Sequence, residues 1–125
     1  MQAERLEVIA RSEIRRTLQR LPEPVREAAA DCLIECEMMA DLQESGDDPG
    51  LEEDLLGLFE GCSRADPEPL DAGQLPRIRL FLDNLWEHAG RRVPDYREEV
   101  RVTLLHELGN YLGLDEAQVA ALGLA

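Results

Sequence analysis

Lysine is absent from this sequence of 125 residues, so arginine supplies all 13 basic side chains, against 27 aspartates and glutamates. The formal net charge of −14 opposes the attraction to phosphate groups on which binding to nucleic acid and to anionic lipid depends. We therefore predict that neither nucleic acid nor a membrane is a partner. We interpret the exclusive use of arginine as compositional bias and not as a phosphate-binding device.

Long apolar runs are also lacking. No stretch reaches the about 18 apolar residues that a membrane-spanning helix needs, and Met1–Leu6 is not a basic region followed by a long apolar one. These absences predict a cytoplasmic protein. The three cysteines, Cys32, Cys36 and Cys62, are an odd number without a recognisable disulfide framework, which fits a reducing compartment. We interpret them as small buried thiols.

Aromatic residues are few, at 4% of the sequence, whereas apolar residues of all kinds make up 44% and are spread along it. This composition predicts a folded globule with a core built mostly from Leu, Val, Ile and Ala. The length fits a single domain over residues 1–125, because independent domains most often have about 100–150 residues.

Helical periodicity is clearest towards the two ends of the chain. Apolar residues recur at the spacing of one helix face in Ala3–Leu21, just before Pro22, which predicts an amphipathic helix that covers one side of a sheet. Near the C-terminus, a capping-box spacing between Asp95 and Glu98 predicts the start of a second long helix, from about Asp95 to Leu112. Gly113 should end that helix.

Three shorter helical segments are also predicted. The run Val25–Ala30 can add a helical turn, and Asp83–Ala89 can form a short helix. Asp115, three residues before Gln118, can cap a last helix over Glu116–Leu122.

Short apolar runs in the middle of the chain indicate strands. Leu55–Gly61 has the length of a buried strand, and Arg77–Leu82 alternates Arg with Ile and Leu, so this strand should have a basic solvent face. Cys32–Met38 alternates like a strand but also fits the continuation of a helix, and both interpretations stay open. Gln43–Asp54 and Cys62–Pro76 are predicted loops.

The second long helix carries the pattern with chemical meaning, His106-Glu107-Leu108-Gly109-Asn110. The related pattern H-E-x-x-H places two imidazoles one helical turn apart, so that both reach one zinc ion, with the glutamate beside the metal-bound water as general base. The spacing follows from helix geometry, since residues four apart share a face. Here Asn110 occupies the place of the second histidine.

The surrounding chain extends the pattern. A first amphipathic helix, then Leu55–Gly61, Leu75–Phe81 and Glu99-Val100-Arg101, precede His106 in an order that resembles the minimal zincin-like bacterial metallopeptidases. The resemblance covers nearly the whole chain, and members typically carry H-E-x-x-H-H-x-G-x-x-D. It implies an α+β fold of the zincin type, in which a small mixed sheet packs with an N-terminal helix and a C-terminal helix that bears the motif.

The resemblance also implies a zinc cofactor and assigns its site. His106 and the residue at position 110, here Asn110, would be metal ligands, Glu107 the catalytic base and Glu116 an acidic third ligand. Gly113 would let the chain turn and bring the third ligand back to the metal. The expected ligand or substrate is a peptide or a protein.

Three positions depart from the family pattern, because Asn110 and Tyr111 replace two histidines and Glu116 replaces aspartate. A glutamate keeps a carboxylate that can bind zinc at about 2.0–2.2 Å. An amide oxygen suits hard cations better than zinc, so zinc should bind weakly or not at all, or give way to another divalent cation. The sequence therefore predicts a degenerate metallopeptidase, weakly active or inactive. The alternative is a non-catalytic peptide-binding or regulatory module that retains the fold.

Other candidate ligands are weaker. On a strand, Cys32 and Cys36 would lie about 13 Å apart at roughly 3.3 Å per residue, too far to share one ion or a disulfide, and only a helix would bring them together. His88, near Trp86, is interpreted as a partly exposed helix residue. Tyr111 could act as an oxyanion donor, but as the neighbour of Asn110 it is predicted to point away from the site.

Overall fold

The computed structural model describes residues 1–64 and 75–121. In chain order its elements are α1 (Ala3–Gln19), α2 (Glu23–Ala29), β1 (Leu33–Glu37), α3 (Met39–Ser45), β2 (Gly57–Glu60), β3 (Arg77–Phe81), α4 (Leu82–His88), α5 (Val93–Leu112) and α6 (Glu116–Ala121). Within these two ranges, none of the helices combines the length and the apolar character that crossing a bilayer requires.

The strands form a mixed sheet in the order β1-β3-β2, with β1 parallel and β2 antiparallel to the central β3. Ile78 and Leu80 of β3 are fully buried and belong to the same core as the helices, as the alternation in the sequence predicts. The segment whose structure was left open, Cys32–Met38, contains β1 and is therefore a strand. The predicted α+β fold with a small mixed sheet is confirmed.

Helix α5 forms the centre of the core. Its residues Tyr96, Val100 and Leu104 are fully buried, and the helix packs against β2 and β3 as well as against α1 and α4. The hydroxyl of Tyr96 donates a hydrogen bond of 2.9 Å to the carbonyl of Leu6, which ties α5 to α1. The N-terminal helix was predicted to cover one side of the sheet; α1 packs against β1, whereas α5 packs against β2 and β3.

The predicted basic solvent face of β3 is wrong for Arg79, whose side chain is only 2% exposed. Its guanidinium lies 2.5 Å from Glu37, 2.8 Å from Asp48 and 2.9 Å from Glu60. A buried charge must be paired and hydrogen-bonded, and these three carboxylates, hydrogen-bonded to it, raise the pKa of Arg79 further above its ordinary value. Arg79 therefore connects β3 to β1, to β2 and to the loop that precedes β2.

The start of α5 differs from the prediction. The helix begins at Val93, and its N-cap residue Arg92 makes no side-chain capping bond, so the box expected between Asp95 and Glu98 does not form. Asp95 lies in the first turn, where it pairs with Arg92 at 3.4 Å. Asp95 stabilises this end without capping it, because acidic groups favour a helix N-terminus. The proline in the first turn also fits there, because the N–H that it lacks would have no partner within the helix.

The segment predicted as the loop Gln43–Asp54 is helical at its start, because α3 continues to Ser45. The start of α3 is capped from a distant position: Asp83 accepts hydrogen bonds from the backbone N–H groups of Met39 and Ala40, at 2.8 and 2.9 Å. These bonds satisfy two donors that the first turn of a helix leaves unpaired.

The last predicted helix is confirmed as α6, with its box. The backbone N–H of Gln118 donates to Asp115 Oδ1 at 2.7 Å, and the N–H of Asp115 donates to Gln118 Oε1 at 2.9 Å. Its predicted last residue, Leu122, lies outside the described residues, as do residues 65–74 of the predicted loop Cys62–Pro76.

Candidate metal-site helix and the adjoining pocket

Helix α5 presents His106 and Asn110 on one exposed face. The helix ends at Gly113, whose φ of +73° is the left-handed conformation that favours glycine. The N–H of Gly113 donates to the carbonyl of Asn110, and the N–H of Leu114 donates to the carbonyl of Gly109, in a Schellman pattern. The chain therefore turns at the predicted glycine and leads directly into α6.

Helix α6 lies against α5 because a glycine leaves room for it. A Cβ atom added at Gly109 would lie 2.9 Å from Cγ2 of Val119, closer than side chains tolerate. The contact at Gly109 thus brings the first turn of α6, with the exposed Glu116, next to the face that carries His106 and Asn110.

A pocket of about 400 Å³ lies between these two helices, and His106, Asn110 and Glu116 all line it. The structure thus brings together the three residues that sequence resemblance assigns to a metal. Among the described residues, the rest of the lining consists of the apolar Val102, Leu105, Leu114 and Val119 and the ion pair Glu98–Arg101, none of which was predicted as part of a site. A sign of the pocket in the sequence was the apolar Val102, which lies on the outer side of α5 and is 44% exposed in the structure.

Glu107 is placed differently from its predicted partners. It is only 8% exposed and lies outside the lining that the described residues give the pocket. Its Oε2 accepts a hydrogen bond of 3.2 Å from Nδ2 of Asn110. The residue that replaces the second histidine therefore engages the carboxylate to which the resemblance assigns the role of base.

The burial of Glu107 follows from the packing of α5 on β2. A Cβ atom at Gly57 of β2 would lie 2.7 Å from Cγ2 of Thr103, and the ring of Tyr111 lies 5.7 Å from that of Phe59 of β2. Thr103, Glu107 and Tyr111 are four apart, so Glu107 belongs to the stripe that faces β2. Tyr111 is 3% exposed and points away from the pocket, as predicted.

The donor set does not fit tight zinc binding. Zinc sites in proteins use His nitrogen, Cys sulfur or carboxylate oxygen, and the pocket pairs one imidazole and one carboxylate with an amide. The amide nitrogen of Asn110 is a hydrogen-bond donor, here to Glu107, so the amide oxygen is the atom that it offers a metal, and amide oxygens suit hard cations. Among the described residues, no group of three or more His, Cys, Asp and Glu side chains is placed to hold an ion.

The other candidate ligands lie elsewhere. His88, on α4, pairs with Glu99 at 3.6 Å and does not line the pocket. Cys36 lies in β1 and Cys32 directly before it, so the helical arrangement that would bring the two thiols together does not occur. Burial raises the pKa of Cys32 to about 11 and that of Cys36 in the same direction. The prediction of buried thiols is confirmed for Cys32, whereas Cys36 and Cys62 are half-buried.

Comparison with known proteins agrees with the pattern in α5. A family model described as zincin-like metallopeptidase matches residues 29–124. The match includes all three strands and the whole of α5, but leaves α1 outside. No curated protein matches the chain.

Proposed function

Because the chain belongs to the zincin-like metallopeptidase family, we propose that it is a degenerate member that binds zinc weakly and has little or no peptidase activity. The observation that carries the proposal is the hydrogen bond of 3.2 Å from Asn110 Nδ2 to Glu107 Oε2. It joins the residue in place of the second histidine to the glutamate in place of the base. The family pattern requires a histidine ligand at position 110 and a glutamate beside the metal-bound water at position 107, and in this chain the two side chains are bonded to each other instead.

Metal-dependent peptide hydrolysis needs a firmly held ion, which polarises the scissile carbonyl and supplies an activated water. Catalytic zinc sites usually have three protein ligands. Among the described residues that line the pocket, only His106 offers a nitrogen ligand, Glu116 offers an exposed carboxylate, and Asn110 offers an amide oxygen. A site with one strong nitrogen donor holds zinc too loosely to support turnover at the rates of the family's active members.

A second candidate function is peptide binding without cleavage. Two observations favour it: the pocket between α5 and α6 is largely apolar, and β2 forms an edge of the sheet beside the stripe that contains Glu107. Sheet edges bind extended peptides by strand addition, and apolar pockets hold single side chains. We propose a peptide or protein in the cytoplasm as the ligand of this surface.

A peptidase assay tests the proposal. Unfolded casein and a mixed peptide library are incubated with the purified chain, with and without added zinc, and the products are identified by mass spectrometry. Glu107→Gln is the matched control, because any hydrolysis by this site depends on that carboxylate. We expect the same trace of hydrolysis from both proteins. Zinc-dependent turnover of about 1 s⁻¹ or faster that is lost in Glu107→Gln would overturn the proposal.

A further inference from the structure

The floor of the pocket between α5 and α6 is apolar. Val102 and Leu105 line it from α5, Val119 lines it from α6, and Leu114 lies in the turn between the two helices. Its volume of about 400 Å³ lies within the range of small ligand sites, which starts at about 300 Å³. Val102 is 44% exposed, so a ligand that covers it removes apolar surface from water.

The rim of the same pocket presents hydrogen-bond acceptors. One N–H of the Asn110 amide donates to Glu107, and the amide oxygen can accept a bond from a ligand, while Glu116 adds an exposed carboxylate. The last turn of α5 contains no basic residue, so the partial negative charge of this helix end is not complemented there. In a chain of net charge −14, this rim attracts a cation.

Among the described lining residues, Arg101 is the arginine, and its charge is paired with a carboxylate. The guanidinium of Arg101 donates through Nε and Nη2 to the carboxylate of Glu98, at 3.2 and 2.5 Å. His106 also lines the pocket, and an imidazole can donate or accept a hydrogen bond. The charge pattern therefore favours a cationic group over a carboxylate or a phosphate.

We propose that this pocket binds the free N-terminus of a peptide whose first residue has a large apolar side chain. The inference rests on the proposed function, because the bound peptide is not cut. An α-ammonium group and the first side chain leave the same carbon atom, so one residue reaches both the acceptor rim and the apolar floor. The α-amino group has an ordinary pKa of about 7.7–8.0 and is mostly cationic at neutral pH. A lysine side chain would place its ammonium four carbons away from its own Cα.

Fluorescence anisotropy with short peptides that carry a C-terminal dye tests the inference, in buffer that contains a chelator so that metal plays no part. The first peptide begins with a free leucine, the second with N-acetyl-leucine, the third with a free glycine, and the fourth is N-acetylated and carries an internal Lys-Leu pair. We expect acetylation to weaken binding about 10-fold or more, through the loss of a charge-assisted bond. Replacing leucine by glycine should weaken binding by a similar factor.

Two variants test the residues, with a third as control. Glu116→Gln removes a charge from the rim, and Val102→Gln removes part of the apolar floor without adding charge. Each variant should bind the free-leucine peptide several-fold more weakly than the parent does. Both positions are exposed, so the fold should persist, which circular dichroism checks. Glu27→Gln makes the same charge change at an exposed site on α2, outside the pocket, and should leave binding unchanged.

Equal affinity for the free and the acetylated leucine peptides, equal affinity for the Lys-Leu peptide, or no binding at all would overturn the inference. Mass spectrometry of the peptides after a separate incubation with zinc distinguishes it from the proposed function. Cleaved peptide with an intact dependence on the free N-terminus would refute the lack of peptidase activity and leave the pocket assignment standing. Uncut peptide without that dependence would refute the pocket assignment alone.

Discussion

Replacing Asn110 by histidine should restore a zinc site, and the structure sets the size of the effect. The position is exposed and four residues after His106, so an imidazole there fits without displacing the core. Even groups that only support metal ligands change affinity by about 10–100-fold. A ligand regained in the site itself should therefore raise zinc affinity by at least one to two orders of magnitude, about 1.4–2.8 kcal/mol.

The same substitution changes stability in two opposing ways. Without metal, Asn110→His removes the bond of 3.2 Å to Glu107, a carboxylate that is only 8% exposed, which should cost about 1 kcal/mol. With zinc at a hundred times its dissociation constant, binding to the folded state adds about 2.7 kcal/mol. For a chain of this length that gain corresponds to a rise of about 10 °C in melting temperature.

Isothermal titration calorimetry and thermal unfolding, with and without zinc, measure these changes. Adding Glu116→Ala to the Asn110→His variant should abolish the gain, because the carboxylate closes the site from α6. Gln43→His, which places a new histidine at an exposed position of α3, controls for unspecific binding to surface imidazoles. Equal zinc affinity of the parent and Asn110→His would refute the reasoning and favour the peptide-binding function.

The remaining predictions concern the packing that places the site. Gly57→Ala forces a methyl group to within 2.7 Å of Thr103 and should cost about 1–3 kcal/mol in urea unfolding, whereas an unchanged midpoint would contradict the close contact of β2 with α5. Arg79→Met leaves Glu37 and Asp48 without the cation that they share, while Glu60 keeps Arg77; the change should cost about 3–5 kcal/mol, and a cost below about 1 kcal/mol would show that the network is dispensable. Because the pKa of Cys32 is raised to about 11 in the folded state, the unfolded chain ionises first, and stability should fall as pH rises from about 9 to 11. Cys32→Ala should flatten this part of the pH profile, and an identical slope in both proteins would exclude the thiol as its cause.

Signals that act within a few residues were sufficient for much of the fold. The end of α5 at Gly113 and the box between Asp115 and Gln118 depend on bonds between near neighbours, and both are present in the structure. The alternation in β3 likewise identified Ile78 and Leu80 as core residues. Such features are visible in a sequence because their partners are adjacent in it.

Features that depend on distant partners were not predictable. Arg79 looks like a solvent-facing residue of a strand until Glu37, Asp48 and Glu60 converge on it, and their positions in the sequence give no sign of this. In the same way, α3 begins where it does because Asp83 supplies its cap from more than forty positions away. Tertiary contacts of this kind override local propensity.

In the candidate site, too, features set by near neighbours in the sequence were predictable and features set by distant packing were not. The sequence pattern names His106, Asn110 and Glu116, and a helix, a glycine turn and α6 bring them to one pocket. The burial of Glu107 could not be predicted from the sequence pattern, because it depends on how closely β2 approaches α5 at Gly57. A motif fixes which residues share a helix face, whereas the packing of that helix decides which of them meet solvent.

Zinc content is the most direct test of the central claim that this site is degenerate. The unaltered chain, purified without chelator and dialysed against metal-free buffer, is measured by elemental mass spectrometry beside the Asn110→His variant. We expect the parent to hold far less than one zinc per chain and the variant to approach one, because only the variant has a second imidazole one helical turn from His106. Stoichiometric zinc in the dialysed parent would contradict the account and show that an ion is held firmly without the second histidine.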